Sequence, residues 1–436
     1  MVITGSFLFI ERPELVESTR LLVTSDGSET RSPLPRVRPG TVPVGRSILR
    51  LSVAFTLACG AEPSSTSWEA ERQVSGDTTT VHTVAGQVWR DVSLSEDLVI
   101  GALDGPEHLI FGEVSRMTED RHGGIYVLDG QVPELRHFDR NGQFLGPVGR
   151  SGGGPGEYGR RSLGMVVDSA GVLYLHDWAN RRIVRFTVDG RPLDGWTLNS
   201  SFLTTRRGTW VYNDDPGRLL VTTRVGDNLD NLALLVLEDG DVADTMAVPQ
   251  LPRMPRERGG PYQIERYWSW HPDGYFVVGV SDDYSLEARR ADGVLRIRRS
   301  VERLPVHPEE ASAWRRQFEW MEEHPSYRAP VGEWLPSNMP PFRGIEAGKD
   351  GRIWVQRNTH PIEISVNDRP DRPPAVGWQQ PFLYDVFGPD GSFLGEVRFP
   401  DRFEPHLFGP DYVWGVRRGD LNEQYVVRHA ITYDSR

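Results

Sequence analysis

A two-turn signature recurs along this chain and constrains its fold more than any other feature. In each copy an apolar stretch meets an Asp/Gly turn, a strand rich in Tyr, Trp or Leu follows, and a second Asp/Asn and Gly turn comes after it. The first turns centre on Gly124, Gly171, Gly217, Gly274 and Gly351, and the second on Gly142, Gly190, Gly240, Gly293 and Gly391. Tight hairpins need residues that accept positive φ, which glycine does without steric cost. Two such turns per copy imply four antiparallel strands per copy. The first-turn glycines are 47, 46, 57 and 77 positions apart, so the unit is regular at first and then acquires insertions. Within a copy the two glycines stand 18, 19, 23 and 19 apart, and 40 in the fifth. The short distances leave room for two ordinary strands and one loop.

Repeated four-stranded units are the blades of a β-propeller. A sixth unit stands at the C-terminus, with Tyr412, Val413 and Trp414 in its second strand and Tyr425 to Ile431 in its third. It lacks a fourth strand of its own. The β-branched run from Thr78 to Trp89 precedes the first repeat and is placed to complete that last blade. Such closure would remove an open sheet edge. The expectation is an all-β, six-bladed propeller over 78–436, closed by an N-terminal strand.

The runs EDRHGGIYVLD (119–129) and FDRNGQFLGPVGRSGGGPGEYG (138–159) resemble those of the NHL-type six-bladed propellers of bacterial envelope proteins. GKDGRIWVQ (348–356) and YDVFGPDGSFLGEVRFP (384–400) resemble that family's closing blades. The resemblance spans roughly Thr78 to Tyr433. It implies a fold, whereas activity on this scaffold varies from lyase and lactonase to pure binding. Blades three (RLLVTTRV) and four (YFVVGVSD) lack the aspartate that ends the second strand in blades one and two.

The chain's one cysteine, Cys59, rules out an internal disulfide or a cysteine metal cluster. Arg46 and Arg50 precede an apolar run, Leu51 to Ala58, that ends in Thr-Leu-Ala before Cys59. This resembles a bacterial lipoprotein signal, with Thr56 where leucine is usual, and it implies lipidation of Cys59 and a site in the cell envelope, on the periplasmic side of the outer membrane or exported. An ordinary secretory signal, or a buried strand carrying a free thiol, is the alternative. Residues 59–77 read as a flexible tether. Residues 1–41 lack a convincing apolar period beyond Phe7 to Ile10, so translation is expected to start near Val42 or Val44. Removing 1–58 takes away seven arginines and five acids, leaving 42 basic and 56 acidic residues, net −14. Such a domain repels phosphate backbones, which argues against a nucleic-acid partner.

Both Asp/Gly turns of a blade fall on one face, so the loops between strands two and three and the crossings between blades fall on the other. Four long insertions are of this second kind: Arg150–Arg161, Pro249–Tyr262, His307–Phe342 and Arg357–Pro381. Long loops on a rigid scaffold are where binding residues concentrate, which places the binding surface at the channel mouth on this face. Capping of the channel is the rival explanation.

Within the third insertion, Pro308, Glu309 and Glu310 suit a first helical turn, and Ala311, Trp314, Phe318 and Met321 share one face. A helix over about 308–324 follows, its stripe packed on the propeller. Trp320 falls off the stripe and is a candidate for ligand contact, against the plainer reading that loops cover it. The glycine run 149–156 lacks the Gly-Lys-Ser/Thr of a phosphate loop and reads as a tight crossing between blades.

Counting to the rim end of each second strand reaches Asp129, Asp177, Thr223, Val280, Arg357 and Arg417. Blades five, six, one and two are consecutive around a ring, so Arg357 and Arg417 would stand beside Asp129 and Asp177. A mixed-charge cluster of this kind suits a zwitterionic or carboxylated ligand. The plainer reading makes them inter-blade ion pairs and caps on loop N–H groups. The eleven histidines show no metal-ligand spacing, and no nucleophile elbow stands out. The expectation is therefore a monomeric, non-catalytic binding propeller with a peptide, glycan or envelope-protein partner and no resident cofactor. The alternative is a metal-dependent lactonase- or lyase-type enzyme with calcium or zinc in the channel.

Overall fold

In a computed structural model of the chain, the described residues are 67–435 except 161, 199–210, 216, 227–230, 252–259, 325, 328–334, 367 and 369–370. The signal-like segment and Cys59 lie outside them, as do parts of all four insertions. The chain is a six-bladed β-propeller. Blades one to five run 114–147, 162–197, 211–247, 266–299 and 342–398, each a four-stranded antiparallel meander. Blade six takes three strands from 403–435 and its fourth from the N-terminal part of the chain.

Each sheet is covered on both faces by its neighbours, so the middle strands are buried along their whole length. Ile125–Asp129, Leu173–Asp177 and Leu383–Phe387 have no exposed residue. A short, unbroken apolar run is how a fully buried strand reads in sequence. The seams hold separate apolar clusters, such as Val277, Leu286, Ile297, Ile353, Val355 and Phe393 between blades four and five. Trp354 is completely buried beside Phe408 and Val413 between blades five and six, and Trp414 is completely buried on the other face of blade six, where its indole N–H donates to Glu119 of blade one. The turn glycines have the left-handed backbone expected of them, with one shift. In blade one Gly123 carries it, at φ +84°, and not Gly124. The rim count to Asp129 is then the same six residues as in blade two.

The ring closes with a different strand from the one expected. Three strands precede blade one: β1 (Glu69–Ser75), β2 (Thr78–Ala85) and β3 (Trp89–Ile100). It is β3 that pairs antiparallel with Gln424–Ser435 and completes blade six. The run from Thr78 instead forms β2, which lies parallel to Gly293–Arg299 on the outer edge of blade four, and β1 pairs with β2 to make that sheet six-stranded. The segment 69–75, read from sequence as the end of a tether, is thus a strand. The reason is length and partner: β3 and the last strand of the chain are both twelve residues long. Trp89 stacks on Tyr433 at 4.7 Å and is buried there, with the Arg352 guanidinium 5.3 Å from its ring.

These two roles predict two truncation outcomes. Removing residues 1–86 should leave a folded ring, destabilised by about 2 kcal/mol for the loss of buried Val81. Removing 1–101 should leave blade six open and the protein aggregated, because its long third strand would present an unpaired edge. Size-exclusion chromatography and urea unfolding of the two fragments check this.

Candidate functional site

The expected helix is present as α1 (Pro308–Glu323), and Ala311, Trp314, Phe318 and Met321 are all buried. Its stripe packs on Val376 and Trp378 of the Arg357–Pro381 insertion, not directly on a blade. The Gln317 side-chain amide donates to the Pro374 carbonyl at 2.8 Å, and His307 packs on Trp378. Glu310, 2% exposed, accepts a hydrogen bond from the Tyr262 hydroxyl, which in turn accepts from the Gln380 side-chain amide at 3.0 Å. Burial pushes the Glu310 carboxyl above its usual range, against the Tyr262 and Trp314 hydrogen bonds that pull it down. One buried chain of polar contacts therefore joins the second, third and fourth insertions. They form a packed cap on the loop-rich side of blades four and five. Beneath it Arg343, on the first strand of blade five, lies over the Phe382 ring, and the Gln356 amide oxygen, suitably oriented, accepts from it at 2.9 Å.

Trp320 is not a free contact residue. It is half-buried at the end of α1, stacked on His324 at 3.6 Å and met edge-on by Tyr327. The glycine crossing is structural as well: the Arg182 guanidinium donates to the carbonyls of Gly153, Gly154 and Glu157, and a side chain at Gly149 would meet the Gly156 carbonyl and the Phe186 ring.

Each of the four rim residues has partners of its own. Asp129 is fully buried and accepts from the backbone N–H groups of Gly112, Glu113, Gln131 and Val132 at 2.9 to 3.3 Å. Asp177 accepts from the backbone and side-chain N–H groups of Asn180, and from Arg182 at 3.4 Å. Arg417 pairs with Glu96 on β3 at 3.1 Å and lies over Tyr425. These three tie loops and the closing strand together. Arg357 differs, because it belongs to a larger charged group.

That group occupies the seam between blades four and five, and strand alternation builds it. On Ile353–Arg357 the side chains of 353, 355 and 357 share the face toward blade four. On Gly293–Arg299 those of 295, 297 and 299 share the face toward blade five. Tyr384 and Val386 pack toward blade six, so Asp385 between them points the other way, into the seam. There the fully buried Asp385 carboxylate receives Arg299 at 2.6 Å, Arg357 at 3.2 Å and the Tyr284 hydroxyl at 2.5 Å. Glu396, partly exposed, takes the second Arg299 nitrogen at 3.0 Å. Burial, reinforced by the Asp385 charge, holds the Tyr284 hydroxyl well above its usual titration range, so it stays a donor. Arg299 and Asp385 were not singled out by counting, since they sit on strands four and three. The available signal was the aspartate inside the otherwise apolar run LYDVF.

Among the described residues no three His, Cys, Asp or Glu side chains are grouped as a resident metal would require. The donor set for a channel calcium or zinc is therefore not found there. No helix among them is long and apolar enough to cross a membrane.

Comparison with known proteins agrees on the architecture. Residues 98–219 match the family DUF5128, whose description is 6-bladed beta-propeller. No curated protein matches the chain. Similar solved structures include a member of the DUF4221 family from Bacteroides vulgatus, at 12% identity and a TM-score of 0.48, covering 80% of this chain and all of that one. A virginiamycin B lyase from Staphylococcus aureus is similar at 12% identity and a TM-score of 0.36, covering 78% of this chain and 99% of its own. A gluconolactonase from Xanthomonas campestris is similar at 12% identity and 0.37, with the same coverages. At this identity the likenesses carry no argument about activity.

Proposed function

We propose that this protein is a non-catalytic, NHL-like binding propeller of the bacterial cell envelope, held to the membrane through a lipidated Cys59, that takes a peptide, glycan or protein partner on its loop-rich face. One observation carries the reading. The large apolar side chains exposed among the described residues fall into two sets. Val74, Val84, Val99, Leu145 and Val242 lie on outer strands, where a propeller's rim meets solvent. All the others lie on the loop-rich face: Leu103 and Ile110 before blade one, Val132 in blade one, Trp178 in blade two, Ile264 before blade four and Leu421 in blade six. None lies on the tight-turn face among the described residues. Exposed apolar side chains that recur on one face and are absent from the other among the described residues favour that face for an interaction. Leu421 is the most exposed, at 74%.

The lipid anchor rests on the segment Leu51–Cys59 alone. Acyl chains on that cysteine would contribute about 0.8 kcal/mol per buried methylene, enough for permanent anchoring when several are attached. The alternative, a metal-dependent enzyme, would need a group of three His, Cys, Asp or Glu side chains, and the described residues hold none.

The test is capture of envelope components by the soluble form, 61–436, compared among three proteins. Val132→Ser with Leu421→Ser should lower capture of a retained partner at least tenfold, and Val242→Ser, on the outer edge of blade three, should leave it unchanged. Equal capture by all three would refute binding at this face.

A further inference from the structure

We infer that the outer end of the seam between blades four and five is a second binding site on the loop-rich side, built for an acidic monosaccharide: one oxyanion carried on a hydroxylated ring. A cavity of about 240 Å³ opens there, between the C-terminal end of the outermost strand of blade four, the loop after its second strand, and β2. Three arginines, Arg298, Arg299 and Arg303, line it with His82. Among the described residues Asp283 is the one carboxylate in the lining.

The charges are not equivalent. Arg299 is committed to Asp385 and Glu396 below, which fixes its guanidinium as part of the floor. Among the described residues Arg298 makes a single ion pair, with Asp283 at 3.3 Å, and both partners are about half exposed or more, so that pair is weak and easily exchanged. Arg303 donates to the backbone carbonyl of Asp282, which leaves its charge without a counter-ion from that contact. A guanidinium fork presents several N–H groups in one plane, and a carboxylate or sulfate is the group that matches it.

The rest of the lining argues for a ring rather than a bare oxyanion. The Asp283 carboxylate is an acceptor that a sugar hydroxyl would satisfy and a sulfate ion, with no proton to donate, would not, and the Ser300 hydroxyl, 3.5 Å from the His82 ring nitrogen, can donate to or accept from a sugar hydroxyl. Val301, Pro341 and the Tyr284 ring supply apolar walls, as small-molecule sites do around a few placed polar groups. The site stands independently of the apolar rim proposed above. Neither needs the other to be occupied.

Titration calorimetry of the full-length protein tests it, with glucuronate, glucose, inorganic sulfate and an aspartyl dipeptide as the probes. Glucuronate should bind saturably, with glucose and sulfate each at least tenfold weaker. Arg298→Ala combined with Arg303→Ala should weaken glucuronate at least tenfold. Both positions are solvent-exposed, and circular dichroism checks that the double variant is folded. Arg298→Lys should recover only part of the loss, because an ammonium cannot present the planar fork. Absence of saturable glucuronate binding, or binding untouched by the double variant, overturns the site. Equal or tighter binding of glucose, sulfate or the dipeptide overturns the saccharide assignment. Loss of partner capture at Val132 and Leu421 with glucuronate binding intact would refute only the earlier reading, and the converse only this one.

Discussion

Replacing Asp385 by alanine is expected to destabilise the propeller by about 3 to 5 kcal/mol, the cost of leaving buried charge without its partner. The carboxylate is fully buried and holds two guanidinium groups, from Arg299 and Arg357, together with the Tyr284 hydroxyl. Without it both arginines, each largely buried, face one another across the seam, and Glu396 alone can compensate, from a half-exposed position. Arg357→Ala should cost less, about 1 to 3 kcal/mol, because Asp385 keeps Arg299 and Tyr284. Urea unfolding midpoints of the two variants and of the double variant check the order. If Asp385→Ala costs no more than Arg357→Ala, the aspartate is not the centre of the group. The same experiment bears on the cavity above it, whose floor is Arg299.

Stability is also expected to fall as pH drops from about 6.5 toward 4, before most carboxylates titrate. Four histidines, His176, His271, His406 and His429, are lowered by burial and are responsible. His176 is 1% exposed, and burial pushes its imidazolium down to about 4. Burial lowers His271 and His429 as well, though Gly351 opposes it at the first and Glu96 and Asp97 oppose it at the second. Each folded-state value lies below that of the unfolded chain, so between the two the unfolded state binds more protons. Stability from these groups is therefore complete above the unfolded value and is lost as pH falls through the folded one. For His176 the full difference is about 3 kcal/mol. Thermal melts at intervals from pH 7.5 to 4 should show a slope that flattens in His176→Gln, whatever that variant's absolute stability. An unchanged slope would mean that His176 titrates normally. Asp120, Glu287 and Asp390, whose carboxyls are held below their usual range by hydrogen bonds or arginines, lose their contribution only at more acid pH.

The rim residues show how far counting along a sequence reaches. Turn spacing located Asp129, Asp177, Arg357 and Arg417 correctly at the ends of second strands, because a blade's geometry repeats with its turns. It did not reveal that two of the four are saturated by neighbouring loops. Whether a buried aspartate is free or spent depends on the backbone N–H groups aimed at it, and Gly112 and Glu113 reach Asp129 from the crossing before its own blade. Nor did it reveal Asp385, which is 28 positions from Arg357 in the chain and beyond a long insertion.

The six-fold repeat, the four strands of each blade, the helix at 308–323 and the side on which the long loops emerge followed from the sequence by itself. All of these depend on local chemistry, meaning glycine's left-handed backbone, the period of apolar residues and the alternating sense of successive strands. The choice of β3 over β2 as the closing strand belonged to the tertiary structure, as did the cap's assembly from three insertions and the charged seam between blades four and five. Each of those is a pairing between segments far apart in sequence. Two extended runs near the N-terminus are equally fit to be strands, and only the length and side chains of the edge each one meets decide where it docks.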